Sequence, residues 1–466
     1  MYTYNPNEFS RENEQQKMQM DRLDFERQIG KNSHDEDNNS EFGEITGTRH
    51  QEMGIDRGMP MRSQYTIKKT LHDENKYLDF DLHLGSKVKS NVQSNESAAY
   101  SSFADINAST LTLSNQIDPM YIVNNSFDRL GSNINEIFSE SLDSSYLINT
   151  FGLYTLFGSL YLASDKVTQN EIEKFFNFPK KDMLHKCLHK MYTSISNLTD
   201  LINIRNFMII DKNIPYNPEF IKTIKNFCVF TQVDINNVNS EANKFNYVID
   251  SIMKTKMRNP ILPVNLDKLQ LMFMTVAVIR PIWTYTFEKA IQGVFNGYTE
   301  QRKENFLLSF SRSYMYCEDN ENQLVEFKCG GKGEIGFGIV LPKKQYKNVS
   351  NENLRLYISH AKLTLLDEIR IPIFSQNLKL RYNGTLKKMG LYSVFLQVTA
   401  QDLFPQKVQL HDIIQNVKII VDHTSFGSKD NTRGERSMAK FIANKPFTYY
   451  IRLIQTDTII LNGMYT

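Results

Sequence analysis

The chain has 466 residues, 41% of them hydrophobic and 12% aromatic, with 54 basic against 52 acidic side chains and a formal charge of +2. Such a length supports one large core or two ordinary domains, and the near-neutral balance gives no reason to expect nucleic acid or an anionic membrane as partner. No apolar run approaches the roughly 20 residues needed to cross a bilayer, and the polar start MYTYNPNEFSRENEQQ lacks the apolar stretch of a signal peptide, so intracellular synthesis is expected.

Residues 1–120 are rich in Asn, Ser, Asp, Glu, Gln and Arg, as in SHDEDNNS at Ser33–Ser40. Such a composition buries too little apolar surface to offset its ordering entropy, so a polar N-terminal arm is expected there. Gln64–Ile67 and the alternating Tyr77–Leu82 are its two segments suited to pairing. Residues 121–466 form the folded domain. Ile134, Ile137, Phe138 and Leu142 recur at helical spacing, and Phe151–Leu162 is apolar nearly all round, as a buried helix would be. Glu171–Phe176 reads as a helix start and Glu219–Phe227 as a helix. Phe245–Met257 reads as another, with Val248, Ile249, Ile252 and Met253 on one face. Strands are predicted at Leu271–Ile279, Leu307–Tyr316, Leu324–Lys328, Ile335–Leu341, Leu363–Pro372, Val417–Val421, Thr448–Leu453 and Thr458–Asn462. Helices first and strands later argue an α+β fold.

Cys187, Cys228, Cys317 and Cys329 form no CxxC pair. They read either as reduced, buried thiols or as intermolecular disulfides of an assembly. His185 and His189 lie four apart on a helix but have no third ligand nearby in sequence, so no metal is expected. Cys329-Gly330-Gly331-Lys332-Gly333 lacks the spacing of a phosphate loop. No nucleophile, base and orienter come together by spacing, so neither an enzyme nor a cofactor is expected.

Several stretches, in order, resemble the serpin family. Ala443-Asn444-Lys445-Pro446-Phe447 with Tyr450-Ile451-Arg452 is similar to the strand after the serpin reactive loop, and Thr458–Gly463 to the last strand. Ile210-Asp211 to Phe220, Leu271–Ile279 with Arg280-Pro281-Ile282-Trp283, Phe310–Cys317, Ile339–Lys343 and Leu386–Leu391 also resemble family segments. The resemblance covers 124–466 and implies three β-sheets with surrounding helices. It places Trp283, the only tryptophan, at the breach above the central sheet, and Asn149-Thr150-Phe151-Gly152 at the shutter beneath it.

The resemblance also implies a reactive loop after Val421. In an inhibitor the cut loop enters the central sheet as a new strand, which requires small, uncharged residues. Here Ser425 and Phe426 stand where Gly and Thr are expected, and Lys429 and Asp430 where an Ala run is expected. Phe151 and Gly152 depart from the hydroxyl-rich shutter. Arg433 and Arg436 would suit a trypsin-like protease as bait, or are simply solvated loop arginines. The expected function is therefore a non-inhibitory, self-assembling structural protein whose arm links copies. Asn-, Ile- and Lys-heavy usage hints at a viral source, with virions or occlusion bodies in the cytoplasm or nucleus of a host cell as its place. The alternative is an inhibitor or decoy for a trypsin-like protease.

Overall fold

The computed structural model describes residues 118–139, 145–257, 259–344, 349–429 and 434–466. The first described elements are helix α1 (Pro119–Ser139), strand β1 (Tyr146–Ile148) and helices α2 (Thr150–Ala163), α3 (Lys166–Phe176) and α4 (Lys181–Ser196). Next come β2 (Ile202–Asp211), α5 (Pro218–Ile224), β3 (Val229–Val233), α6 (Val238–Met253), the single turn α7 (Pro263–Leu266) and β4 (Leu271–Ile279). Four more strands follow, β5 (Lys289–Asn296), β6 (Gln301–Glu318), β7 (Asn322–Cys329) and β8 (Ile335–Pro342), and then helix α8 (Asn351–His360). The remainder comprises β9 (Lys362–Pro372), β10 (Phe374–Arg381), α9 (Asn383–Lys388), β11 (Leu410–Val421), β12 (Glu435–Arg436), β13 (Lys440–Ile442), β14 (Phe447–Leu453) and β15 (Thr458–Tyr465).

The strands form a five-stranded sheet, β10-β11-β4-β2-β3, and a ten-stranded one along β1-β15-β14-β8-β7-β6-β9-β12. Strand β6 explains why three expected sheets become two hydrogen-bonded ones. Residues 301–308 of β6 pair with β5, 306–316 with β9 and 315–318 with β7, and the β9 ladder skips Ser311, whose φ is 44°, without a change of register. One long strand thus joins what would otherwise be two sheets.

Every residue of β4 is buried, because the five-stranded sheet is covered on both faces. On one face Leu271, Phe273, Ala277 and Ile279 join the main core with α2. On the other, Met272, Met274, Val276 and Val278 meet Ala242, Phe245, Ile249 and Met253 of α6. Helix α2 is buried along its whole length, as its sequence predicts. Two of its hydroxyls bond one turn back, Thr155 donating to the Phe151 carbonyl at 2.7 Å and Ser159 to the Thr155 carbonyl at 2.9 Å.

Several boundaries differ from expectation. Glu171–Phe176 closes α3 rather than opening a helix, because Asp165 caps it from upstream and left-handed Asn177, φ 52°, ends it. The helix expected over Glu219–Phe227 stops at Ile224. In α6 the buried stripe includes Ala242 and Phe245, and Val248 faces out at 46% exposure. The strand entering the loop starts at Leu410, seven residues before Val417. The arm through residue 117, with Gln64–Ile67, Tyr77–Leu82 and Ser33–Ser40, lies outside the described residues, as does Leu142.

An ion-pair chain fastens the outer helices to the larger sheet. Arg355 of α8 holds Asp128 of α1 at 2.6 Å and Asp457 at 2.9 Å. Arg452 of β14 holds Asp457 at 2.7 Å and also pairs with the buried Glu326, which accepts the Tyr450 hydroxyl at 2.9 Å. Burial pushes the Asp128 carboxyl up to about 6 in spite of Arg355. The folded form therefore keeps this proton where the unfolded chain has lost it. The associated stability is complete below about pH 4 and is lost as pH rises through about 6, amounting to about 3 kcal/mol. Denaturant titrations of the wild type and of Asp128→Asn at pH 4 and pH 7 should differ by that slope, with the variant gaining relative stability at pH 7.

Candidate functional site

The parallel seam between β4 and β11, and the loop that leaves it, gather most of the residues singled out in the sequence. The seam pairs Leu271 with Leu410 at one end and Ile279 with Ile419 at the other. Both strands run in the same direction, whereas their outer neighbours β2 and β10 are antiparallel to them. A strand folding back from the end of β11 into the seam would run antiparallel to both sides.

Beneath the seam, the start of α2 clasps its two strands. Asn149 caps the helix by accepting from the Gly152 amide at 3.0 Å and donates its own amide to the Thr275 hydroxyl of β4 at 3.0 Å. Its backbone N–H donates to Gln415 Oε1 of β11 at 2.8 Å. Gln415 in turn donates to the Leu147 carbonyl at 2.9 Å and accepts the Tyr382 hydroxyl at 3.0 Å. Thr275 and Gln415 are register partners, so a single rung of the seam is fastened from below. Thr150 donates to the Ile460 carbonyl at 3.3 Å, and the Phe151 ring packs against Tyr192. Gly152 is required where the helix meets the sheet, because a Cβ there would stand 2.1 Å from Thr275 Oγ1.

At the seam's open end, Trp283 receives the loop. Its backbone N–H donates to the Thr424 carbonyl at 3.0 Å and its carbonyl accepts the Phe426 N–H at 2.8 Å. Its indole N–H donates to the Asp422 carbonyl at 2.6 Å. Ser428 N–H reaches the Thr284 carbonyl at 3.0 Å, and the Ser425 and Thr286 hydroxyls lie 2.8 Å apart. Residues 422–428 thus continue alongside the exit of β4 in the parallel sense, outside the seam. The indole is packed edge-on by Phe287, Phe327 and Phe337. Phe426 is 50% exposed beside Gly331, and Lys429 is exposed. Asp430 and Arg433 lie outside the described residues. The far side is also pinned, with Gly434 N–H on the Ser313 hydroxyl at 2.8 Å and the exposed Arg436 in β12, paired to Leu365 of β9.

The structure brings Trp283, Ser425 and Phe426 together at the seam's open end and sets Asn149 to Gly152 under its Thr275–Gln415 rung, and all four cysteines are free thiols. Cys187, Cys228 and Cys329 are buried and Cys317 is partly exposed. Burial raises all four thiols, Cys187 to about 11, so none is primed as a thiolate at neutral pH. His185 packs on the Phe227 ring and His189 accompanies Thr193 on α4. Among the described residues no three His, Cys, Asp or Glu are grouped to hold a metal. Sequence reasoning missed Gln415, Thr275 and Tyr382. Gln415 and Asn416 stand as a polar pair between Ile414 and Val417 of β11, which marks the place but names no partner.

Residues 128–466 match the family described as serpin (serine protease inhibitor). The chain belongs to the serpin family. This serpin is 22% identical over 357 residues to the serpin-like protein R700 of Acanthamoeba polyphaga mimivirus, spanning 71% of this chain and 87% of that one. It is 24% identical over 238 residues to an FXa-directed anticoagulant of Aedes aegypti, with coverage of 48% and 57%. Among solved structures, a tumour suppressing serpin overlays with a TM-score of 0.67 at 17% identity, covering 75% of this chain and 99% of that one. Protease nexin-1 with heparin gives 0.65 at 17% identity, again covering 75% and 99%. Manduca sexta serpin-12 gives 0.64 at 17%, covering 73% and 97%.

The clasp makes a direct prediction. Gly152→Ala should lower unfolding stability by about 1–3 kcal/mol through overpacking. Adding Thr275→Ala should recover part of that loss by removing the opposing hydroxyl, as urea titration can measure.

Proposed function

We propose that this serpin does not trap proteases by loop insertion, and that it works as a non-inhibitory scaffold. The carrying observation is the burial of the seam on both faces, combined with the loop's own residues. Counting one residue per rung from the hinge, Lys429 and Asp430 would arrive within about two rungs of the Thr275–Gln415 pair. Adjacent strand residues point to opposite faces, so one charge would enter the core beside α2 and the other would lie under α6. They could not neutralise each other, and an unpaired buried charge costs several kcal/mol. The hinge must also give up its bonds to Trp283 and Thr284 before it can turn inward. Only five residues, 429–433, lie between the pinned Ser428 and the pinned Gly434, which leaves little free loop to offer as bait.

Trypsin, which cuts after basic residues such as Arg433 and Arg436, supplies the test. A nicked protein that melts within about 3 °C of the intact one supports the scaffold reading, whereas a rise of tens of degrees would mean that the sheet has gained a strand. The double variant Lys429→Ala/Asp430→Ala should insert more readily than the wild type if these charges are the barrier.

On this reading the protein's partner is itself, linked through residues 1–120, whose polar composition suits an arm that exchanges between copies. Removing residues 1–117 should abolish assemblies seen by light scattering while leaving the circular dichroism of the domain intact. A monomer both before and after removal sinks the idea. If disulfides contribute, Cys317 is the thiol in reach of another molecule. The mimivirus relative supports a viral origin. The narrower form of the reading, in which the protein resides in virions or occlusion bodies, is tested by fractionation of infected cells. A second reading, inhibition of a trypsin-like protease, is favoured by the likeness to the Aedes aegypti anticoagulant and by the exposed Arg436. Stoichiometric loss of such a protease's activity would establish it.

A further inference from the structure

Among the strands that end a sheet, β5 has a long edge and little to guard it. It borders the larger sheet and, among the described residues, pairs with β6 alone, while β9 takes the other side of β6. All eight residues pair in an unbroken register, Lys289 with Leu308 through Asn296 with Gln301, so no bulge turns the outer edge away. The strand reads KAIQGVFN, with no proline and a single charge, Lys289, at its start. The other edges are shorter or charged. Strands β1, β12 and β13 have two or three residues and β3 has five, while β10 carries Lys379 and Arg381. Edges that stay in water are commonly guarded by charge, proline, bulges or brevity, and β5 has almost none of these.

The side chains leave the edge approachable. Ala290, Gln292 and Val294 are exposed on the outward face, Val294 at 49%. On the inward face Ile291 packs against the core, and Phe295 is buried against Tyr465 and the Arg302 guanidinium. Gly293 lies where a Cβ would come within 3.0 Å of the Phe306 ring. Only the end of the strand is engaged, since the Asn296 N–H donates to the Asn444 carbonyl at 2.7 Å. Among the described residues no strand pairs with the outer side of 289–295.

We propose that this edge pairs with the same edge of a second copy, antiparallel about a two-fold axis through Gln292. An axis relating two antiparallel edge strands stands perpendicular to the sheet, so both copies turn the same face to the same side. Paired residues must then share a face, and their numbers must add to an even value. Centring on Gln292 satisfies this and uses the whole open stretch. It sets Ile291 opposite Gly293 and Ala290 opposite Val294, a large side chain against a small one each time. The two Gln292 amides meet across the axis, and Lys289 falls opposite Phe295, so no like charges face each other. This self-complementarity is what favours a second copy as the occupant, and the pairing would join two ten-stranded sheets into one. The inference rests on the reading that copies associate, and it adds an interface in which the arm takes no part.

The test puts like charges across the axis at exposed positions. Full-length Gln292→Lys/Val294→Lys and full-length Gln292→Glu/Val294→Glu are each compared with the wild type by hydrogen exchange of the 289–295 amides, with circular dichroism to check the fold. Each variant alone should exchange these amides at least about fivefold faster than the wild type. An equimolar mixture should return to the wild-type rate, because Lys then faces Glu. Equal exchange in all samples overturns the pairing. Faster exchange that mixing does not restore overturns it too, and points to a loosened strand or to a different occupant of the edge, such as the arm. Failure of the arm reading shows elsewhere, in light scattering after the arm is removed, and leaves these amides as they were.

Discussion

The amide of Gln415 gathers three separate segments of the chain onto one rung of the central sheet. It sits in β11 opposite Thr275, accepts the backbone N–H of Asn149 and the hydroxyl of Tyr382, and donates to Leu147. All of these groups are buried, so each lost bond would leave an unsatisfied polar atom away from water. The position of α2 under the sheet, the closeness that makes Gly152 necessary, and the closed state of the parallel link all follow from this one set of donors and acceptors. A buried polar network with every partner present specifies a single arrangement, whereas a partly broken one is costly.

The same logic accounts for the behaviour expected of the loop. The seam is a weak link by topology, since it is a parallel pair set between antiparallel ones. Its neighbours compensate from several sides: the helix start below, the buried face of α6 above and Trp283 at the open end. An insertion mechanism needs a sheet that parts easily and a loop that is small and neutral. This chain keeps the architecture around such a sheet and carries a hinge with an exposed Phe426 and a charged Lys429. Retention of the static parts together with alteration of the moving ones is consistent with a fold kept for its surface.

Much of this fold is legible in the sequence, and the reasons are specific. Phe151–Leu162 has no polar stripe, and only a helix buried on all sides tolerates that. Leu271–Ile279 is apolar at every position but Thr275 and of strand length, as suits a strand covered on both faces. Helix α4 and strand β10 are harder to see. The first alternates polar and apolar residues around His185 and His189, and the second, FSQNLKLR, mixes polar residues onto a partly covered edge. Val248 illustrates the limit of periodicity, because it borders the buried stripe of α6 yet faces outward. Gln415 and Asn416 were invisible for a different reason. Their meaning depends on residues more than 100 positions away, namely Asn149, Leu147 and Pro260, and no local pattern carries that information.

Having a single indole gives the molecule a built-in optical probe. Trp283 is fully enclosed by three phenylalanine rings, and its N–H is bonded to a carbonyl of the loop hinge. Emission from such a site is set by that one hydrogen bond and by the dryness around it. Any event that frees residues 422–428 from the end of β4 will wet the ring and move its spectrum to longer wavelength, with no second tryptophan to obscure the change. The protein thus reports on the state of its own hinge in real time and without a label, during assembly, proteolysis or partner binding.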